Sequence, residues 1–206
     1  MSVIEKLASS LNRRDEVPNQ ELAKDIVLSK NKKAVKELVE NLSNKKAIQN
    51  DCIKVLYEIG EQNPKLIAGY INEFTEQLHS KNNRLQWGAM TALRTITNER
   101  PKEIYAMLPV IIDTADKGSV ITKDRAVTIL IKLCATKNYS DGAFILLIDQ
   151  LLKSPTNQLP MYAERAVTVV NEANKTLFVK TLSSRLNDIE KETKRKRVEN
   201  VIKKFK

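Results

Sequence analysis

The sequence predicts an all-α protein built as a right-handed α–α superhelix, a solenoid of about five helical hairpins. Three observations lead there. Glycine is scarce, five in 206 residues, while Leu, Ile, Ala, Lys and Glu are abundant, a helix-leaning and β-poor composition. The stretch DRAVTILIKL at 124–133 returns forty residues later as ERAVTVV at 164–170. Apolar residues also recur at i, i+3, i+4 and i+7, the spacing of one buried helical stripe.

The repeat is wider than that one echo. VLYEIGEQNP (55–64), ALRTITNERP (92–101) and ILIKLCATKN (129–138) align at an offset of 37, and VVNEANKTLF (169–178) and VIKKF (201–205) follow after 40 and 32. One aligned column holds Cys52, Ala89, Ala126, Ala166 and Val198, small enough for neighbouring helices to approach closely. The next columns are Val55, Ala92, Ile129, Val169 and Val201, then Leu56, Leu93, Leu130, Val170 and Ile202, then Ile59, Ile96, Leu133, Ala173 and Phe205.

Taken in order, residues 1–30 read as two N-terminal capping helices, the second NQELAKDIVLSK, covering the open end of the stack. The array proper runs over 31–206 as a single structural domain with units 31–63, 64–100, 101–138, 139–174 and 175–206. Each unit opens with an apolar first helix: AVKELVENL (34–42), LIAGYINEFTEQL (66–78), IYAMLPVIIDTA (104–115), FILLIDQLL (144–152) and LFVKTLSSRL (177–186). Polar turns such as SNKK, SKNN, DKGS and SPTNQ lead into the second helices. Pro64 and Pro101 fall where first helices begin, at the tolerated first turn.

The third unit, LPVIIDTADKGSVITKDRAVTILIKL, resembles the HEAT repeat: a Leu-Pro opening, Asp116 in the turn, then a small apolar residue and Leu-x-x-Leu in the second helix. The resemblance covers about residues 31–206, with armadillo-type repeats as the neighbouring alternative. It implies the superhelical fold and a scaffold that binds other molecules.

Charge and chemistry narrow the classes. The net charge is +10, and residues 191–206 alone hold eight basic and two acidic side chains, so most of the excess sits on one terminal helix. No apolar run approaches the roughly 20 residues of a membrane span, and the N-terminus lacks a secretory signal, so a cytoplasmic protein is expected. Cys52 and Cys134 have no metal-ligand spacing and are expected to be buried, reduced thiols. The single histidine, His79, rules out a multi-histidine metal site, and no glycine-rich phosphate loop occurs. A non-catalytic protein without cofactor or metal is therefore expected. A resemblance to HEAT-like alkylpurine DNA glycosylases would imply a basic groove with aromatic residues, but Trp87, near Arg84, has no second indole to form a cleft.

Against the repeat, odd residues can be judged by their columns. Trp87 aligns with Asn50, Asp124 and Glu164, so it is expected at an exposed or half-exposed edge, as a partner anchor or packed on a neighbouring unit. The adjacent column runs Asp51, Gly88, Arg125, Arg165 and Arg197, an arginine stripe or a ladder of internal pairs. Lys45, Lys46, Lys81, Arg84, Lys117, Lys123 and Lys153 rim the second-helix N-termini. The last helix closes the stack with an outer face of Lys194, Arg195, Lys196, Lys203 and Lys204, either simply solvated or held out to an anionic partner. The expected function is protein binding on the concave second-helix face around Trp87, Arg84, Lys123, Arg125, Arg165 and Arg197. Nucleic-acid binding through the arginine stripe and terminal helix is the alternative.

Overall fold

Turns rich in Asn, Ser and Lys divide the chain into twelve α-helices in a computed structural model that describes residues 2–205, with no strand among them. Two compact units result, one ending at Ala126 and the other beginning at Val127.

The first unit contains α1 (Val17–Ser29), α2 (Lys32–Glu40), α3 (Lys46–Gln62), α4 (Ile71–Gln77), α5 (Asn83–Ile96), α6 (Pro101–Ala106) and α7 (Leu108–Lys117). Helix α8 (Val120–Cys134) carries the chain into the second unit. Local chemistry sets the ends. Lys30 adopts a left-handed conformation (φ 51°) and closes α1. The Asn31 and Asn82 side chains cap α2 and α5 by accepting from the amides of Ala34 (3.0 Å) and Arg84 (3.2 Å).

The stripe columns form the core of this unit. Cys52, Val55, Leu56 and Ile59 of α3 and Ala89, Ala92, Leu93 and Ile96 of α5 are fully buried. Two glycines let these helices meet. A Cβ on Gly88 would lie 2.7 Å from Ile53, and one on Gly60 would lie 2.2 Å from the Thr95 hydroxyl and 2.7 Å from Ile67.

Three differences from the sequence expectation have local causes. The N-terminal residues form one 3-10 turn (Ile4–Lys6) rather than an additional α-helix, because side chains elsewhere take up their backbone groups. Asn19 accepts from the Ala8 amide (3.0 Å), Asp51 accepts from the Ser9 amide (2.8 Å), and Asn19 donates to Asp51 (2.8 Å). The stretch 104–115 is broken at Met107 into α6 and α7, since Pro109 cannot donate to a preceding carbonyl and its ring crowds that turn. The stretch 66–78 is likewise a 3-10 turn (Pro64–Leu66), a connection containing Gly69, and then α4.

The second unit holds α9 (Ser140–Lys153), α10 (Leu159–Ala166), α11 (Lys175–Ser184) and α12 (Glu192–Lys203), with α9 packed on α10 and α11, and α12 on α10 and α11. Here one copy of the stripe fails. Helix α10 stops at Ala166, Val167–Val169 form a 3-10 turn, and Val170 is extended. Val169 and Val170 are half-buried and Ala173 is exposed. The β-branched run Val-Thr-Val-Val weakens the helix. Asn171 and Asn174 then supply turn contacts, with Asn171 accepting from the Ala173 amide (3.0 Å) and Asn174 from the Asn171 amide (2.8 Å). Tyr162, Ala163 and Ala166 provide the buried face instead. Phe205 is half-buried and meets Phe178 edge-on at 5.7 Å.

Both cysteines are free. Cys52 is buried and Cys134 half-buried, contrary to the expectation for Cys134. Burial pushes both thiols up to about 12, with the charges of Asp51 and Glu37 adding to the effect at Cys52. Both remain protonated and unreactive at neutral pH.

Candidate interaction surface

The surface around Trp87 is built on the outward faces of α3 and α5. Leu85, Ala89 and Leu93 turn one side of α5 into the core, so Arg84 and Trp87, three residues apart, share an outer edge. Trp87 is half-buried and rests on Tyr57 of α3, with ring centroids 5.9 Å apart and planes at 47°. The Thr91 hydroxyl donates to the Trp87 carbonyl (2.8 Å), and Arg125 Nε approaches Thr91 Oγ1 at 3.4 Å.

Under Tyr57 lies a buried charge. Lys54 is 7% exposed, its ammonium 4.9 Å from the centre of the Tyr57 ring. Glu58 Oε1 accepts from it at 2.7 Å, and Glu16 Oε2 faces it at 2.8 Å. The other Glu16 oxygen accepts from Arg84. One carboxylate thus bridges two cations. Burial alone would lower the Lys54 pKa, but the hydrogen bonds to Glu16 and Glu58 outweigh it and hold the ammonium above its usual range. Polar ties continue toward the helix N-termini, where Asn82 donates to Asn50 (2.8 Å).

The structure brings together Trp87, Arg84 and, through Thr91, Arg125. Arg125 is paired with Asp124 at 2.6 Å, and Lys123, two residues before Arg125 on α8, is half-buried. Arg165 and Arg197 belong to the second unit. Arg197 forms a two-pronged pair with Glu164 (2.7 and 2.6 Å), which holds the Glu164 carboxyl below its ordinary range. Arg165 is exposed on α10. On α12, Lys194 donates to Asn157, Arg195 pairs with Glu199 (3.9 Å) and Lys196 with Glu192 (2.8 Å), while Lys203 and Lys204 are exposed.

Sequence reasoning missed Lys54, Tyr57 and Glu16. Lys54 had a signal: its column continues as Thr91, Thr128 and Thr168, so a lysine replaces a small hydroxyl residue in one copy. Glu16 had none, because its partners lie 38 and 68 positions away.

No protein-family model matches the sequence, and no curated protein does. Solved structures do. An engineered protein matches with a TM-score of 0.61 at 20% identity, over 99% of this chain and 100% of its own. A second engineered protein matches at 0.63 and 18%, over 100% and 98%. A designed armadillo repeat protein, in complex with the peptide (KR)4, matches at 0.68 and 16%, over 91% and 87%. With the helix inventory above, these likenesses establish an all-α helical-repeat solenoid.

Proposed function

We propose that the protein is a non-catalytic repeat scaffold that binds a segment of another protein on the α3–α5 face around Trp87. The observation that carries this reading is the Trp87–Tyr57 pair. A half-exposed indole is held in place by a second ring and flanked by Lys54 and Arg84, an arrangement that offers apolar area and directional polar contacts at little entropic cost. The peptide bound by the designed armadillo neighbour supports it by analogy. Splitting 101–134 into α6, α7 and α8 gives one unit three helices, the armadillo count, whereas the sequence of the same unit favours HEAT; we read the chain as intermediate between the two. Arg125 and Arg197 are engaged with Asp124 and Glu164, which weakens the nucleic-acid alternative.

The test is selection of peptides from a random decapeptide display on the full chain, with counter-selection on Trp87→Ala. Peptides that bind only the parent, shift the emission of its single tryptophan and tolerate roughly 0.2 M salt support the reading. It fails if nothing selected depends on Trp87, or if duplex DNA binds more tightly than any peptide at that ionic strength, where charge-only contacts fade.

A further inference from the structure

Glu16 comes from the N-terminal segment, outside the helices that form the face, and its carboxylate fills the space between Lys54 and Arg84. Its side chain is 40% exposed and can swing into water without moving the backbone. The segment before it stays attached through the hydrogen bonds of Ser2 and Val3 to Glu37, of Ala8 to Asn19 and of Ser9 to Asp51. Lys54 would not be left alone, since it keeps Glu58 and the Tyr57 ring. Arg84 would then present an open guanidinium fork, 41% exposed, one turn from Trp87. Alongside opens a cleft of about 240 Å³ whose charged walls are Arg13, Arg14 and Arg84 with Asp15, Glu16 and Asp51.

We propose that Glu16 is a built-in stand-in for a partner's carboxylate, and that an acidic peptide segment docks by displacing it. The partner's Glu or Asp takes the place between Lys54 and Arg84, and a neighbouring apolar side chain lies on Trp87. The bound position of Glu16 itself shows that the slot accepts a carboxylate. Local charge points the same way: with Glu16 swung out, Lys54 keeps only Glu58 and Arg84 loses its carboxylate, so a basic segment would meet two cations there. This rests on the peptide-binding reading above and specifies its partner. Because the partner competes with an internal group, its apparent affinity falls by the fraction of molecules with Glu16 swung out.

The experiment follows tryptophan emission of the full chain titrated with an octapeptide of alternating Glu and Leu, and with its Lys–Leu counterpart. If Glu16 is out in about a tenth of molecules, Glu16→Gln binds the acidic peptide roughly tenfold more tightly than the parent. Arg84→Glu loses the acidic peptide and gains the basic one. A Glu16→Gln chain that melts as the parent does, yet binds the acidic peptide no better, overturns the proposal. Should Glu16→Gln misfold, Arg84→Glu decides alone, and unchanged acidic-peptide affinity then overturns it. If displayed peptides require Trp87 but prove basic, the peptide-binding function stands and the displacement of Glu16 falls.

Discussion

The α3–α5 pair and the α10–α12 pair each join two second helices through acid–base contacts, and they do so in opposite ways. Between α3 and α5 the helices approach closely at Gly60 and Gly88, and Lys54 is held beneath an aromatic ring by two carboxylates. Between α10 and α12 the pair Arg197–Glu164 lies at the rim, its side chains 47% and 41% exposed. The lesson is that equivalent columns of a repeat do not carry equivalent chemistry. Lys54 lies in the middle of the 17-residue α3, covered by Tyr57, Glu16 and Glu58, whereas Glu164 lies near the end of the eight-residue α10. Burial holds Lys54 in place beneath Tyr57, and solvent leaves the second contact weak.

The sharpest way to break this contrast is Lys54→Ala. Removing one member of a buried pair strands its partners, a loss of about 3–5 kcal/mol when all are buried. Glu16 and Glu58 are both partly solvated, so a smaller loss, about 2–3 kcal/mol, is expected in the urea denaturation midpoint. Lys54→Met, which restores apolar packing beneath Tyr57, should lose less than Lys54→Ala. Next comes Gly60→Ala. The helix gains about 1 kcal/mol in propensity, but the new methyl overlaps Thr95 and Ile67, so a net loss of about 1–2 kcal/mol is expected. Trimming Thr95 to Ala in the same chain should recover part of it, and additive losses would show that the close approach is not the cause.

The same contrast explains what was legible in the sequence. The fold class and the stripe of α3, α5 and α8 followed from periodicity, because buried apolar positions are set by helix geometry alone. The column argument expected Trp87 at an exposed or half-exposed edge, and its side chain is half-buried. Failures cluster where local chemistry interrupts the period: Pro109 splitting a helix, the Val-Thr-Val-Val run ending α10, and Asn19 and Asp51 capturing the N-terminal backbone. The charged part of the site was the least visible. Glu16 reaches Lys54 and Arg84 only through the packing of α1 on α3, and no spacing rule connects residues that meet by tertiary packing.

A smaller effect should come from the second unit at Arg185. Its guanidinium donates to the carbonyls of Leu151 (3.0 Å), Leu152 and Ser154 (3.2 Å) at the end of α9, and its Nε pairs with Asp188 (2.6 Å). The last carbonyls of a helix lack backbone donors within it; the Ser154 hydroxyl donates to that of Leu151 (3.0 Å), and the arginine adds a cap from 31 to 34 residues away. Arg185→Ala should cost about 1–2 kcal/mol, because water can reach part of the vacated end. Amide hydrogen exchange should accelerate at the C-terminal turn of α9 and leave α3 and α5 unchanged. Uniform acceleration across both regions would mean that the cap supports the whole chain.

The smallest effect belongs to the rim pair itself. Arg197 holds the Glu164 carboxyl below its ordinary range, so the folded state binds that proton less readily than the unfolded chain does. The stabilisation is therefore fully present above the unfolded carboxyl pKa, near 4.3, and is lost as pH falls through the lower folded value. Both side chains are well solvated, which limits the contribution to under about 1 kcal/mol. Between about pH 5 and pH 3, the parent should lose slightly more stability than Arg197→Gln, so their urea midpoints should converge. About 1 M salt should shrink the neutral-pH difference, since exposed charges are screened. A difference that survives both acid and salt would place Arg197 in a packing role and make this pair resemble Lys54 after all.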